Sequence, residues 1–116
     1  METDASGTGI GAVLSQEGRL VAYFSPKLSP KMVASSAYIL ELYAITEAVM
    51  KWRHYLLGKW FCIKTDHKSI CDLMRQVVLT LEQQFYMTKL LGFNYEIVYR
   101  PSKLNQVADD LYFYIH

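Results

Sequence analysis

Four short stretches of the chain read as strand, and longer ones between them read as helix, the longest repeating its apolar residues every three or four positions. Ile10 to Ser15 reads as a strand, Glu17-Gly18 as a two-residue turn, and Arg19 to Ser25 as the returning arm. Two strands joined this tightly run antiparallel. Pro26 and Pro30 bracket a loop. From about Ser36 to Leu57 the period changes: Tyr38, Leu42, Ile45, Val49, Trp52 and Leu56 form one apolar stripe of a helix, with Gly58 placed to end it. Trp60 to Thr65 reads as strand, and Asp66 suits the N-cap of a helix over about 67–75. A further helix fits Leu81 to Leu91, closed by Gly92. Asn94 to Arg100 alternates again until Pro101. A last short helix is predicted from Val107 to about Tyr114. At the other end, residues 2–4 have the character of a strand end, and Gly7, Gly9 and Gly11 mark a turn after it.

The order is β-β-β-α-β-α-α-β-α. An antiparallel start followed by βαβ units predicts an α/β fold, one mixed sheet with helices packed on its faces. The 116 residues fit one domain, 1–116, and 52% apolar residues suffice for a real core. Lys and Arg number 12 against 11 acids, a net charge of +1, which excludes holding nucleic acid by bulk charge alone. Any grip on a polyanion is local, metal-mediated or shared with another domain. Cys62 and Cys71 lack metal-ligand spacing and read as reduced thiols of an intracellular protein. No apolar run approaches the roughly 18 residues of a membrane span.

The candidate chemistry lies in the acids. Asp4 and Asp66 each follow Thr at the end of a strand, the edge where open α/β sheets bind ligands. If their strands are neighbours, two like charges ~4 Å apart repel by about 4 kcal/mol at an effective dielectric near 20. A proton or a cation must then sit between them. Glu41 borders the helix stripe, and Asp109 opens the last helix. Each acid alone has a plainer role: a turn former, an N-cap, a macrodipole partner, half of an ion pair. As a set they can converge on one sheet edge, and all-oxygen ligands suit Mg²⁺ or Mn²⁺. Two such ions ~3.5–4 Å apart can clamp an in-line phosphoryl displacement.

The ordered series Thr3-Asp4-Ala5-Ser6, Glu41-Leu42-Tyr43-Ala44-Ile45, Thr65-Asp66-His67-Lys68-Ser69 and Asn105-Gln106-Val107-Ala108-Asp109 resembles ribonuclease H. Tyr23-Phe24-Ser25, the run Lys51 to Gly58, Leu90-Leu91-Gly92-Phe93 and Tyr99-Arg100-Pro101 resemble in particular the ribonuclease H domain of gypsy-type, plant-like long-terminal-repeat retrotransposon polyproteins. The resemblance implies a five-stranded mixed sheet with helices on both faces. It implies a catalytic, metal-binding set of Asp4, Glu41, Asp66 and Asp109, holding two Mg²⁺ ions with Mn²⁺ as substitute. The implied activity is endonucleolytic cleavage of the RNA strand of an RNA/DNA hybrid. The implied setting is reverse transcription beside a polymerase domain, in a cytoplasmic particle or the nucleus. Ser6, Lys68, Ser69, Arg100, Lys103 and Asn105 are the candidate substrate contacts.

The chain departs from that pattern in places. Only Met1, Glu2 and Thr3 precede Asp4, so the first strand is expected to be truncated. Asp110 follows the expected catalytic Asp109, and the tail Tyr112 to His116 is aromatic; the loop Pro101 to Leu104 lacks the histidine of cellular ribonucleases H, as the gypsy branch commonly does, which implies a slower enzyme. The truncated strand, the near-zero net charge, Asp110 and the aromatic tail support an alternative, a catalytically impaired remnant serving as a binding or structural module. Gly7 to Ala12 matches a dinucleotide-loop spacing, but a strand follows it instead of a helix. His54, His67 and His116 have no ligand spacing and read as surface residues, and Trp52 reads as core.

Overall fold

The computed structural model describes residues 11–25, 27–28, 30, 36–76, 80–101 and 111–115. Strands β1 (Ala12–Gln16) and β2 (Arg19–Phe24) form the predicted hairpin. Its two-residue turn places Glu17 at φ 53° and Gly18 at φ 78°, the twist a tight hairpin needs. A bulge between Leu14 and Ser15 shifts the register along β2. Helix α1 (Ala37–Lys51) starts where Ser36 accepts a hydrogen bond from the Ile39 amide at 3.2 Å. The predicted helix is interrupted at Trp52, which leaves helical dihedrals, and resumes as the single turn α2 (Arg53–Leu56). Gly58, at φ 81°, reverses the chain into β3 (Trp60–Thr65). Helices α3 (Lys68–Met74) and α4 (Leu81–Thr88) lead to β4 (Asn94–Tyr99), and Thr80 and Gln83 form a reciprocal cap at the start of α4.

The last element overturns an expectation. Residues Leu111–Ile115 form strand β5, where a helix from Val107 to about Tyr114 is predicted. An unbroken apolar run gives no period to separate strand from helix, and aromatic and β-branched side chains favour the pleated surface. Burial alternates along it, with Leu111, Phe113 and Ile115 inside and Tyr112 and Tyr114 half-buried between them.

The five strands form one mixed sheet in the order β2-β1-β5-β3-β4. β1 is antiparallel to β2 and parallel to β5, whereas β3 is antiparallel to β5 and parallel to β4. β3 therefore has β4 on one side and β5 on the other, and β1 has β2 and β5. The expected stub at residues 2–4 lies outside the described residues.

One face of the sheet carries Leu14, Phe61, Ile63, Ile97, Leu111 and Phe113, all buried in a single core. The stripe of α1 lands there as predicted: Leu42, Ile45, Val49, Trp52 and Leu56 are buried and Tyr38 packs against them. Trp52 meets Phe24 and Phe113 edge-on, with ring centroids at 6.3 and 5.4 Å. Each described helix gives buried side chains to this core. On the reverse face the register places Val13, Cys62, Lys64, Tyr112 and Tyr114.

Candidate active site

The rim at the C-terminal end of β3 gathers several chain segments. Arg100, just beyond β4, donates its amide to the Thr65 carbonyl at 2.7 Å. The Leu111 amide, opening β5, donates to the Gly11 carbonyl at 2.8 Å. Gly11 and Leu111 follow directly on residues 1–10 and 102–110. Asp4, Ser6, Lys103, Asn105 and Asp109, predicted for the site, all lie outside the described residues.

Glu41 and Asp66 are described, and the fold brings them together. Glu41 sits in the second turn of α1, on the border of its apolar stripe, and is 1% exposed. A carboxylate seldom occupies such a place without a polar partner. Thr65, also 1% exposed, supplies one: its hydroxyl donates to Glu41 Oε2 at 2.6 Å. The same hydroxyl oxygen accepts the backbone N–H of His67 at 3.1 Å. One buried hydroxyl thus ties α1 to the turn that leaves β3.

The sequence places the helix N-cap at Asp66, and the structure shifts it by one residue. The N-cap position of α3 falls on His67, without a side-chain cap bond. The Asp66 carboxylate instead has Oδ1 3.3 Å from His67 Nε2, with 17% of its side chain exposed against 32% for His67. One ligand atom each of Glu41, Asp66 and His67 lies within 4.8 Å of the others. His67, read from sequence as a surface residue, belongs to the site. Its spacing to Asp66 carries no ligand signature, because the third group comes from α1, 26 positions earlier in the chain. The turn pinned by Thr65 was the missing signal.

This set fits a divalent cation. Oxygen ligands stand about 2.0–2.6 Å from Mg²⁺ or Ca²⁺, so ligands around one ion are separated by about 3–5 Å. Two carboxylates this close repel when both are ionised, and a cation between them turns that repulsion into coordination. Lys68 and Ser69 are exposed on the first turn of α3, beside the acids. Arg100 is exposed as well, but its guanidinium carbon lies 5.6 Å from the Tyr112 ring centroid, drawn toward the reverse face.

The fold is of the ribonuclease H-like class, with the acid pair at one edge of its sheet. Over residues 1–93 the chain matches the family described as the RNase H-like domain found in reverse transcriptase, and it belongs to that family. It is 36% identical over 111 residues to the retrovirus-related Pol polyprotein from transposon 297 of Drosophila melanogaster, covering 96% of this chain and 10% of that protein. It is 35% identical over 120 residues to the Transposon Tf2-3 polyprotein of Schizosaccharomyces pombe, covering 96% of this chain and 9% of the relative. The chain therefore spans about a tenth of the length of the curated relatives it matches. No solved structure matches it significantly. The family match takes in Asp4, Glu41 and Asp66 and stops before β4, so Asp109 and β5 lie beyond it. Among the described residues no helix is long and apolar enough to cross a membrane.

Proposed function

We propose that the domain is a metal-dependent endonuclease that cuts the RNA strand of RNA/DNA hybrids during reverse transcription of a gypsy-type retroelement, joined in its parent polyprotein to a polymerase domain. The observation that carries this reading is the buried Glu41, held by Thr65 beside Asp66 at the end of β3. A fully buried acid next to a second acid costs stability, and a cation shared between them repays that cost. Glu41 and Asp66 hold the ions, with Asp4 and Asp109 as the remaining ligands. When bound, two Mg²⁺ or Mn²⁺ ions supply an activated water and charge neutralisation at the leaving 3′-oxygen. The residues of the chain do the positioning. Thr65 fixes the Glu41 carboxylate, so its oxygens need no reorganisation when substrate arrives. Lys68, Ser69 and Arg100, with Ser6, Lys103 and Asn105, contact the hybrid backbone. The 2′-hydroxyls across the minor groove mark the strand to be cut.

Incubation of the chain with an end-labelled RNA/DNA hybrid in Mg²⁺ or Mn²⁺ tests this. The RNA strand is cut to 5′-phosphate and 3′-hydroxyl ends, duplex DNA is untouched, and Asp66→Asn abolishes the cleavage. Equal cleavage by the variant refutes the assignment.

A second reading draws on β5. Among the described strands, the neighbours of β3 are β5 and β4. That arrangement favours a catalytically impaired remnant acting as a binding module. Absence of cleavage by a chain that melts cooperatively supports it.

A further inference from the structure

We propose that His67 is a metal ligand, so that the site takes a mixed oxygen–nitrogen donor set and prefers Mn²⁺ to Mg²⁺. The inference rests on the metal-binding reading of Glu41 and Asp66 and goes beyond it by naming a third donor and a selectivity.

Three observations carry it. First, one ligand atom of His67 shares the 4.8 Å cluster with one carboxylate oxygen of Glu41 and one of Asp66. Asp66 and His67 are neighbours in the turn after β3, whereas Glu41 comes from α1, so the meeting of Glu41 with that pair is a product of the fold. Second, the backbone of His67 is anchored on both sides. Its amide donates to Thr65 Oγ1 at 3.1 Å, and its carbonyl accepts the Ile70 amide at 3.1 Å and the Cys71 amide at 3.4 Å at the start of α3. Third, the Thr65 hydroxyl that takes the His67 amide also donates to Glu41 Oε2 at 2.6 Å. One hydroxyl therefore sets the relative positions of two donors, as supporting groups do in preorganised metal sites. A plain ion pair between His67 and Asp66, at 3.3 Å and part-exposed, accounts for two of the groups but leaves the convergence with buried Glu41 unexplained.

The donor chemistry sets the preference. Mg²⁺ demands near-octahedral oxygen ligation and dehydrates reluctantly, whereas imidazole suits the transition metals. Mn²⁺ accepts carboxylate and imidazole alike. A nitrogen donor therefore raises Mn²⁺ affinity and does little for Mg²⁺.

The test is Mn²⁺ binding to the intact chain by electron paramagnetic resonance, with MgCl₂ as competitor and no nucleic acid present. The bound Mn²⁺ is expected to show electron spin echo modulation from a directly coordinated ¹⁴N. His67→Ala and His67→Gln are expected to lose that modulation and to bind Mn²⁺ roughly tenfold more weakly or worse, the lower end of what altered metal-site partners cost. Mg²⁺ affinity is expected to stay within about twofold, and circular dichroism melts confirm that the variants fold. Asp66→Asn separates the two layers of the argument. If wild-type modulation is absent, or survives in both His67 variants, His67 is not a ligand, while Mn²⁺ binding lost only in Asp66→Asn leaves the nuclease reading standing. If the wild-type chain binds no Mn²⁺, both readings fall.

Discussion

Replacing Thr65 by Val tests the link between fold and site most directly. The two side chains have nearly the same shape, so the core loses a hydroxyl and little else. That hydroxyl donates to Glu41 Oε2 at 2.6 Å and accepts the His67 amide at 3.1 Å, with Thr65 and Glu41 each 1% exposed. A hydrogen bond to a charged group contributes about 1.5–3 kcal/mol, and a bond between neutral groups about 0.5–1.5 kcal/mol. The two losses together predict a destabilisation of about 2–4 kcal/mol, a large share of the roughly 5–15 kcal/mol that holds a domain folded. With a urea dependence near the middle of the usual range, about 2 kcal/mol per molar, the unfolding midpoint drops by about 1–2 M. Thr46→Val is the matched control. Thr46 is equally buried, but its hydroxyl donates at 2.9 Å to the Tyr43 carbonyl within the same helix, so its loss is expected to cost under about 1 kcal/mol. Urea titrations followed by circular dichroism, without divalent ions, give both numbers. Equal midpoints for Thr65→Val and Thr46→Val, or a Thr65→Val chain as stable as wild type, refute the claim that this hydroxyl holds the acid pair.

Asp66→Asn is expected to raise the melting temperature of the ion-free chain by relieving about 1–3 kcal/mol of screened repulsion from Glu41, and to cancel any stabilisation by Mn²⁺; a lower ion-free melt contradicts this. Phe113→Ala removes a fully buried ring from the middle of the sheet and is expected to cost about 3–5 kcal/mol in urea unfolding, whereas Tyr23→Ala, 60% exposed, is expected to change the midpoint little. Burial pushes the Cys62 and Cys71 thiols above their ordinary value of 9.0, so both stay protonated in the folded chain. Because the folded form holds these protons longer than the unfolded form, stability is full below about pH 9 and falls as pH rises above it. Thiol labelling at pH 8 is accordingly expected to be slow in buffer and fast in urea.

Local signals served where one pattern dominated. The hairpin was legible because Glu17-Gly18 admits few other turns, and β3 came out residue for residue. The stripe of α1 was legible too, although its break at Trp52 was not, since ring packing against Phe24 and Phe113 is a tertiary matter. The tail failed for a definable reason. Leu111 to Ile115 is apolar throughout, and the acids before it read as a helix start. Only the slot between β1 and β3 decides for strand. In the candidate site, Glu41 was singled out by resemblance and its place beside the helix stripe, and Asp66 by resemblance and its place at a strand end. Thr65 and His67 were missed as members because their roles depend on how α1 docks beside the end of β3.

The strand that follows every other described element in sequence stands third of five across the sheet. Hairpin β1–β2 and pair β3–β4 have no direct ladder between them, and each reaches the other through β5. Pairing Ala12 with Leu111 joins residues from opposite ends of the numbering, so sheet closure is slow compared with hairpin formation. During synthesis on a ribosome, both half-sheets wait with an unpaired edge until residues 111–115 emerge. In that interval the nascent chain is open to any extended segment that reaches it first.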